Sequence, residues 1–280
     1  MWRDFAVAVV IAGSAAMTLS SGAQAQMQTE AIESQVHKFE AVVLAGGLKN
    51  PWGMAFLPDG RMLITERPGR LRIFEVGKGL SAPLSGVPEV AARGQGGLLD
   101  VVLHPDHGAN GWIYMSYAIP QEGGARTAVS RARLDGEALV DLETIFVARN
   151  PGSGDVHFGS RLVFGSDGKL YVSVGERGNA NQAQNPKNNN GTVVRLNDDG
   201  SIPADNPFVG RDDVLPSIFT YGHRNPQGMI RHPVRDEIWV HEHGPQGGDE
   251  INRLVGGANY GWPVVTFGRS YAGFPIGEGS

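Results

Sequence analysis

The sequence contains no cysteine. That excludes disulfides, cysteine-ligated zinc and thiolate nucleophiles together, so stability rests on the core and on any bound ion. Beyond the first 25 residues no apolar run is long enough to span a bilayer. There is no basic excess either: 24 Lys and Arg stand against 29 Asp and Glu, for a net charge of −5, which leaves no electrostatic footprint for nucleic acid. No segment of helix length carries a helical period, which disfavours a parallel α/β sheet. The chain has no GxSxG elbow, no HExxH pair and no EF-hand loop, and its GQGG stretch fits neither a dinucleotide fingerprint nor a P-loop. The carboxylates are too scattered to nominate a glycosidase pair.

Glycine is abundant instead, 40 of 280 residues, with 17 prolines and no collagen-like period, which indicates a β-rich chain with many tight turns. The 41% hydrophobic content is ample for a large core. Residues 1–25 read as a signal peptide: Arg3 supplies the positive start, Phe5 to Leu19 the apolar stretch, and Ala23-Gln24-Ala25 the cleavage site. A membrane anchor is the competing reading, but the stretch of about 15 residues is short of a span. The sequence therefore predicts an exported, periplasmic protein whose folded part is residues 26–280.

One pattern recurs along that part. GMAFLPDGRMLITER, LDVVLHPDHGANGWIYMSYA, SRLVFGSDGKLYVSVGER and GMIRHPVRDEIWVHEH each place a turn between two short β-rich runs. In LYVSV, Leu170, Val172 and Val174 share one face while Tyr171 and Ser173 share the other. The turns recur every 45 to 70 residues or so, which suits four-stranded propeller blades with inserted loops better than a sandwich or an irregular barrel. The expected architecture is all-β, a β-propeller with about four to five blades present. The loop-like ending GRSYAGFPIGEGS suggests a chain truncated at its C-terminus.

Candidate chemistry concentrates in a few loops. His157, in GDVHFGSRL, has the side chain best suited to general-base work near neutral pH; a solvated loop histidine is the plain alternative. Gln95 sits where glycines permit close backbone approach to a ligand. In YGHRNPQG, Arg224 offers a planar donor fork and Asn225 both a donor and an acceptor, against the alternatives of a surface ion pair and a turn residue. His241 and His243 could share a strand face, but no third zinc ligand is evident. Gly244, Pro245, Asp249, Glu250 and Tyr260 could contribute oxygens to calcium.

Seven stretches in order, NPWGMAFLPDGRMLITER, GQGGLLDVVLHPD, HFGSRLVFGSDGKLYVSVGERG, GTVVRLNDDGSIPADNPF, YGHRNPQGM, HGPQGGDEIN and GGANYGWP, resemble the soluble PQQ-dependent aldose sugar dehydrogenases, relatives of soluble quinoprotein glucose dehydrogenase. The resemblance runs from about residue 38 to the end and implies a six-bladed propeller. It implies His157 as the base that takes the proton of the anomeric hydroxyl while hydride passes to PQQ, giving a lactone. It further implies Gln95, Arg224, Asn225 and Tyr271 as cofactor contacts, with Arg224 also stabilising charge on the quinone. Gly244 and Pro245 match the carbonyls that hold the catalytic calcium, and Glu250 and Tyr260 match a second calcium position. An aldose substrate and a separate electron acceptor are implied as partners. Two positions depart from the glucose dehydrogenase branch: Val156 replaces an acidic residue before the base, removing one orienting partner, and His243 replaces a glutamine. The basic residues that grip the PQQ carboxylates belong to later blades of that family. A non-catalytic extracellular binding propeller of the same fold is the alternative, since fold alone does not fix function; a calcium-dependent lactonase is a weaker third.

Overall fold

Each of the four turns read from the sequence closes a hairpin in the computed structural model, which describes residues 29–278 except 34, 36, 37 and 150–153. The signal peptide expected over residues 1–25 lies outside the described residues. After a two-stranded ribbon, β1 (Thr29–Glu33) with β2 (Lys38–Val42), the chain folds into consecutive antiparallel meanders. The first is β3 (Pro51–Phe56), β4 (Met62–Glu66), β5 (Arg70–Glu75) and β6 (Gly79–Leu80). The second is β7 (Leu98–Leu103), β8 (Trp112–Gln121), β9 (Gly124–Asp135) and β10 (Ala138–Val147). The third is β11 (Leu162–Phe164), β12 (Leu170–Val174), β13 (Thr192–Leu196) and β14 (Ile218–Tyr221). The fourth is three-stranded: β15 (Pro226–Arg231), β16 (Ile238–Glu242) and β17 (Glu250–Arg253). Helical turns among the described residues are confined to α1 (His107–Asn110) and a 3₁₀ turn at Ala180–Gln184.

These meanders are the blades of a β-propeller. The first strand of each sheet contacts the first strand of the next, β3 with β7, β7 with β11 and β11 with β15. Both faces of the inner blades are covered, so the period-2 alternation sorts apolar side chains into different cores rather than into core and solvent. In β8, Ile113, Met115 and Tyr117 pack with Leu63, Leu71 and Leu98, between the first and second blades. Tyr114, between them in sequence, packs with Leu162, Leu170 and Val172 of the third. In the same way Tyr171 and Val193 turn to Met229, Ile238 and Val240 of the fourth.

Polar groups then register the blades against one another. Thr65, Ser116 and Ser173, one in the second strand of each of the first three blades, are fully buried. Each hydroxyl accepts an N–H from its own blade, from Gly53, Asp100 and Arg161, at 2.8, 3.0 and 2.9 Å. Each donates to a carbonyl at or just before the first strand of the next blade, on Leu99, Ser160 and Pro226, at 2.5, 2.5 and 2.8 Å. Arg161 gathers all four blades: its guanidinium lies 4.3 Å from the Trp52 ring centroid, Nη1 donates to Asp100 Oδ1 at 2.9 Å, and Nε donates to the Gln227 carbonyl at 2.9 Å. Burial pushes the Asp100 carboxyl up against the opposing pull of Arg161 and of the Leu162 and Val101 N–H groups. Gly53 is required beside it, since a Cβ there would lie 2.8 Å from Asp100 Oδ1.

Glu66 closes β4 as a buried carboxylate that takes a two-point fork from Arg70 at 2.6 and 2.8 Å, Arg72 Nη1 at 3.4 Å, and the Lys49 N–H. Burial opposes its charge, but Arg70, the Lys49 N–H and Arg72 outweigh it, so its pKa lies below the ordinary 4.5. A carboxyl held low in the folded state stabilises fully above the unfolded value and loses that contribution as pH falls through the folded one. Acid unfolding of Glu66→Gln is therefore expected to show a flatter loss of stability below about pH 4.5 than the parent, read as urea midpoints against pH.

Candidate active site

Strain marks the place. His157, Ser160 and Arg177 are three of the five non-glycine residues at positive φ among the described residues, at 52°, 76° and 64°. Such conformations cost about 1–3 kcal/mol each and persist only where neighbours enforce them. The loop after β10 is pinned by Thr127 Oγ1, which donates to the Phe158 carbonyl at 2.9 Å, and by the Gly159 N–H, which donates to Asn225 Oδ1 at 3.1 Å. Gly175, just past β12, passes so close to the His157 carbonyl that no side chain fits there.

The imidazole of His157 is mostly covered, and its Nδ1 lies 2.6 Å from Oε1 of the buried Glu176. With Nδ1–H donated to the carboxylate, Nε2 carries the lone pair. The His157 N–H donates to Gln95 Oε1 at 2.7 Å, and the Gln95 N–H donates to the Asp155 carbonyl at 2.7 Å. Glu176 provides the orienting carboxylate that Val156 cannot. It comes from just past the end of β12 rather than from the residue before the base, where Val156 removes the one partner the family resemblance pointed to.

A main-chain bond, Glu176 N–H to the Arg224 carbonyl at 2.9 Å, joins this dyad to the 222–227 segment. Arg224 and Asn225 are both buried. Arg224 Nη1 donates to the carbonyls of His243 and Gly244 at 3.0 and 2.8 Å, and Nη2 reaches the hydroxyl of the exposed Tyr271 at 3.4 Å. Behind it stands a second imidazole–carboxylate pair. His223, fully buried, has Nδ1 at 2.7 Å from Glu242 Oε1 and Nε2 at 2.9 Å from Thr220 Oγ1, and stacks on Tyr260 with ring centroids 4.6 Å apart. Glu242 Oε2 also accepts the Arg224 N–H at 2.6 Å.

Gln95, His157, Arg224, Asn225, Gly244 and Tyr271 are thus one hydrogen-bonded group. Pro245 follows Gly244 and packs against Gly268. Glu250 and Tyr260 sit on the far side of the His223–Glu242 pair: Glu250 pairs with Glu242 across the β16–β17 ladder, where burial raises its carboxyl, and Tyr260, stacked on His223, donates its hydroxyl to the Arg253 carbonyl at 2.6 Å. β16 ends at Glu242, so His243 falls beyond the strand; His241 and His243 are exposed with ring centroids 6.5 Å apart. No group of three or more His, Cys, Asp or Glu side chains converges among the described residues; beside the Gly244 and Pro245 carbonyls, Asp249 Oδ1 accepts the Gly244 N–H at 2.8 Å.

Sequence reasoning passed over Glu176, Glu242 and His223. A readable signal existed, because LITER, VSVGER and WVHEH each carry a glutamate at or just past the end of a blade's second strand. Glu66 spends it on arginines; Glu176 and Glu242 spend it on histidines.

Fold and site together define a β-propeller in which a His157–Glu176 pair sits between the second and third blades, bonded through its main chain to the buried Arg224 ahead of the fourth. Residues 48–280 match the model of the Glucose / Sorbosone dehydrogenase family, and the chain belongs to that family. It is 49% identical over 240 residues to the aldose sugar dehydrogenase YliI of Escherichia coli, covering 84% of this chain and 65% of the relative. It is 33% identical over 292 residues to the quinoprotein glucose dehydrogenase B of Acinetobacter calcoaceticus, covering 92% of this chain and 59% of the relative. The chain spans less than two thirds of the length of these curated relatives. The solved PQQ-bound aldose sugar dehydrogenase of Streptomyces coelicolor superposes with a TM-score of 0.69 at 30% identity, over 86% of this chain and 67% of that one.

Proposed function

We propose that the whole protein is a periplasmic quinoprotein that oxidises the anomeric hydroxyl of aldose sugars to lactones, using PQQ and calcium. The observation that carries this is the commitment of His157 Nδ1 to Glu176, which leaves Nε2 as a base in a network joined through the Glu176 N–H to the buried Arg224. Nε2 takes the anomeric hydroxyl proton, and Glu176 stabilises the imidazolium that forms. Gln95 fixes the main chain of the base through the His157 N–H. The solved relative that binds PQQ shares this family and fold, which supports the cofactor assignment. When bound, PQQ supplies the quinone that accepts the hydride from the anomeric carbon.

The residues present fit a planar polyanion. Arg224 uses two of its three guanidinium nitrogens on protein partners among the described residues, which leaves N–H donors for a ligand carboxylate or quinone oxygen. Trp262, whose ring centroid lies 5.4 Å from that guanidinium, has a buried indole N–H without a partner among the described residues. Gln95, Asn225 and Tyr271 complete the set of contacts. Gly244 and Pro245 would hold calcium through their carbonyls; a carbonyl oxygen has two lone pairs, and Arg224 takes one at Gly244. Calcium would there orient and polarise the cofactor. Glu250 and Tyr260 are assigned by family resemblance to a second calcium position.

Calorimetry tests this directly. Protein recovered from the periplasmic fraction, and beginning at Gln26, is expected to release heat with PQQ only when calcium is present, and then to reduce a dye acceptor with aldoses. Absence of binding heat with calcium present would favour a binding propeller without redox chemistry.

A further inference from the structure

Arg177 is buried, beside the dyad, and unused by the chemistry above. Its guanidinium makes no ion pair with a carboxylate among the described residues, and its Nε has no partner there. Burial pulls its pKa down to about 10, although Asp155 and Glu176 favour the charge. A guanidinium kept in such a place against the cost of desolvation needs a structural reason.

Its contacts supply one. Nη2 donates to the Gly154 carbonyl at 2.5 Å, Nη1 donates to the Val156 carbonyl, and the guanidinium carbon lies 3.2 Å from the Phe158 ring centroid. Those are alternate residues bracketing His157. The intervening ones, Asp155 and His157, are held through their main chain by Gln95. The loop is therefore gripped from two sides, even positions by Arg177 and odd positions by Gln95. Within that grip sits a histidine with φ of 52°.

We propose that Arg177 is a positioning residue for the base, its planar fork clamping residues 154–158 so that His157 keeps the left-handed conformation from which Nδ1 reaches Glu176. Lysine cannot substitute, since a point charge does not span two carbonyls as a fork does. The kinetic consequence rests on the dehydrogenase reading; the geometric one does not.

The test uses Arg177→Met and Arg177→Lys, with ¹⁵N-histidine NMR on protein without cofactor. The His157 Nδ1–H resonance is assigned by its loss in His157→Ala. Water exchange of that proton is expected to quicken by about tenfold or more in both variants, against an unchanged His223 Nδ1–H as internal control. In the reconstituted enzyme, kcat is expected to fall by about 10–100-fold with KM nearly constant, the signature of a misplaced group rather than a lost binding contact. Should Arg177→Met not fold, Arg177→Lys decides alone. Parental exchange of the His157 proton in the folded variants would overturn the proposal and reduce Arg177 to packing. Were kcat insensitive even to His157→Ala, the dehydrogenase reading would fail while the exchange result still judged the clamp.

Discussion

His157→Ala, in protein reconstituted with PQQ and calcium, is expected to lower kcat by about 10²–10⁴-fold, the usual worth of a positioned general base. The loss should appear in kcat and in kcat/KM alike, because the proton is transferred only in the transition state. Binding heat for PQQ should change little, since the cofactor contacts proposed above are Arg224, Asn225, Gln95 and Tyr271. Glu176→Gln should fall between parent and alanine variant. The amide still accepts from Nδ1–H through its oxygen, but it no longer compensates the imidazolium formed as the proton arrives. Steady-state dye reduction over several aldoses provides the measurement. Turnover unchanged in His157→Ala would remove the proposed mechanism.

Glu242→Ala is expected to be the most destabilising single change in this region. Its carboxylate accepts from His223 Nδ1 at 2.7 Å, the Arg224 N–H at 2.6 Å and Asn252 Nδ2 at 3.2 Å. Each buried donor left without an acceptor costs about 1–3 kcal/mol, and the lost pairing with the fully buried His223 acts in the same direction, so a total near 3–5 kcal/mol is expected. Urea unfolding would show this as a lowered midpoint at unchanged m. Glu242→Gln retains one acceptor oxygen and should lose about half as much. PQQ affinity should fall in both, since Arg224 depends on this carboxylate for its main-chain position. A midpoint shift worth less than about 1 kcal/mol in Glu242→Ala would show that the network does not hold Arg224.

The hairpins were legible because their signal is local: Asp59-Gly60 and Asp167-Gly168 turn the chain within a few residues, and flanking side chains alternate. The outer strands of the second blade were not. β9 and β10 run through TAVSRARLDGEALVDLETIF, whose charged residues suit the exposed rim of a blade and blur the apolar alternation. GGANYGWP forms turns and a single isolated bridge at Asn259, because its glycines and its proline interrupt any ladder. In the site, histidine, arginine and glycine-rich loops announced themselves by residue type. Glu176 and Glu242 did not, because a glutamate closing a strand looks like a solvated end until a buried imidazole from another loop is brought against it.

Thr65, Ser116 and Ser173 each serve two sheets at once. Peeling one leaf from the stack would strand an oxygen on both sides of the split, so the middle layers come apart together while only the outermost can fray. The base hangs from the seam between the second and third layers, and the arginine from that between the third and fourth. Their separation is therefore set first by how the sheets stack, and the grip on the 154–158 loop then places the imidazole within that frame.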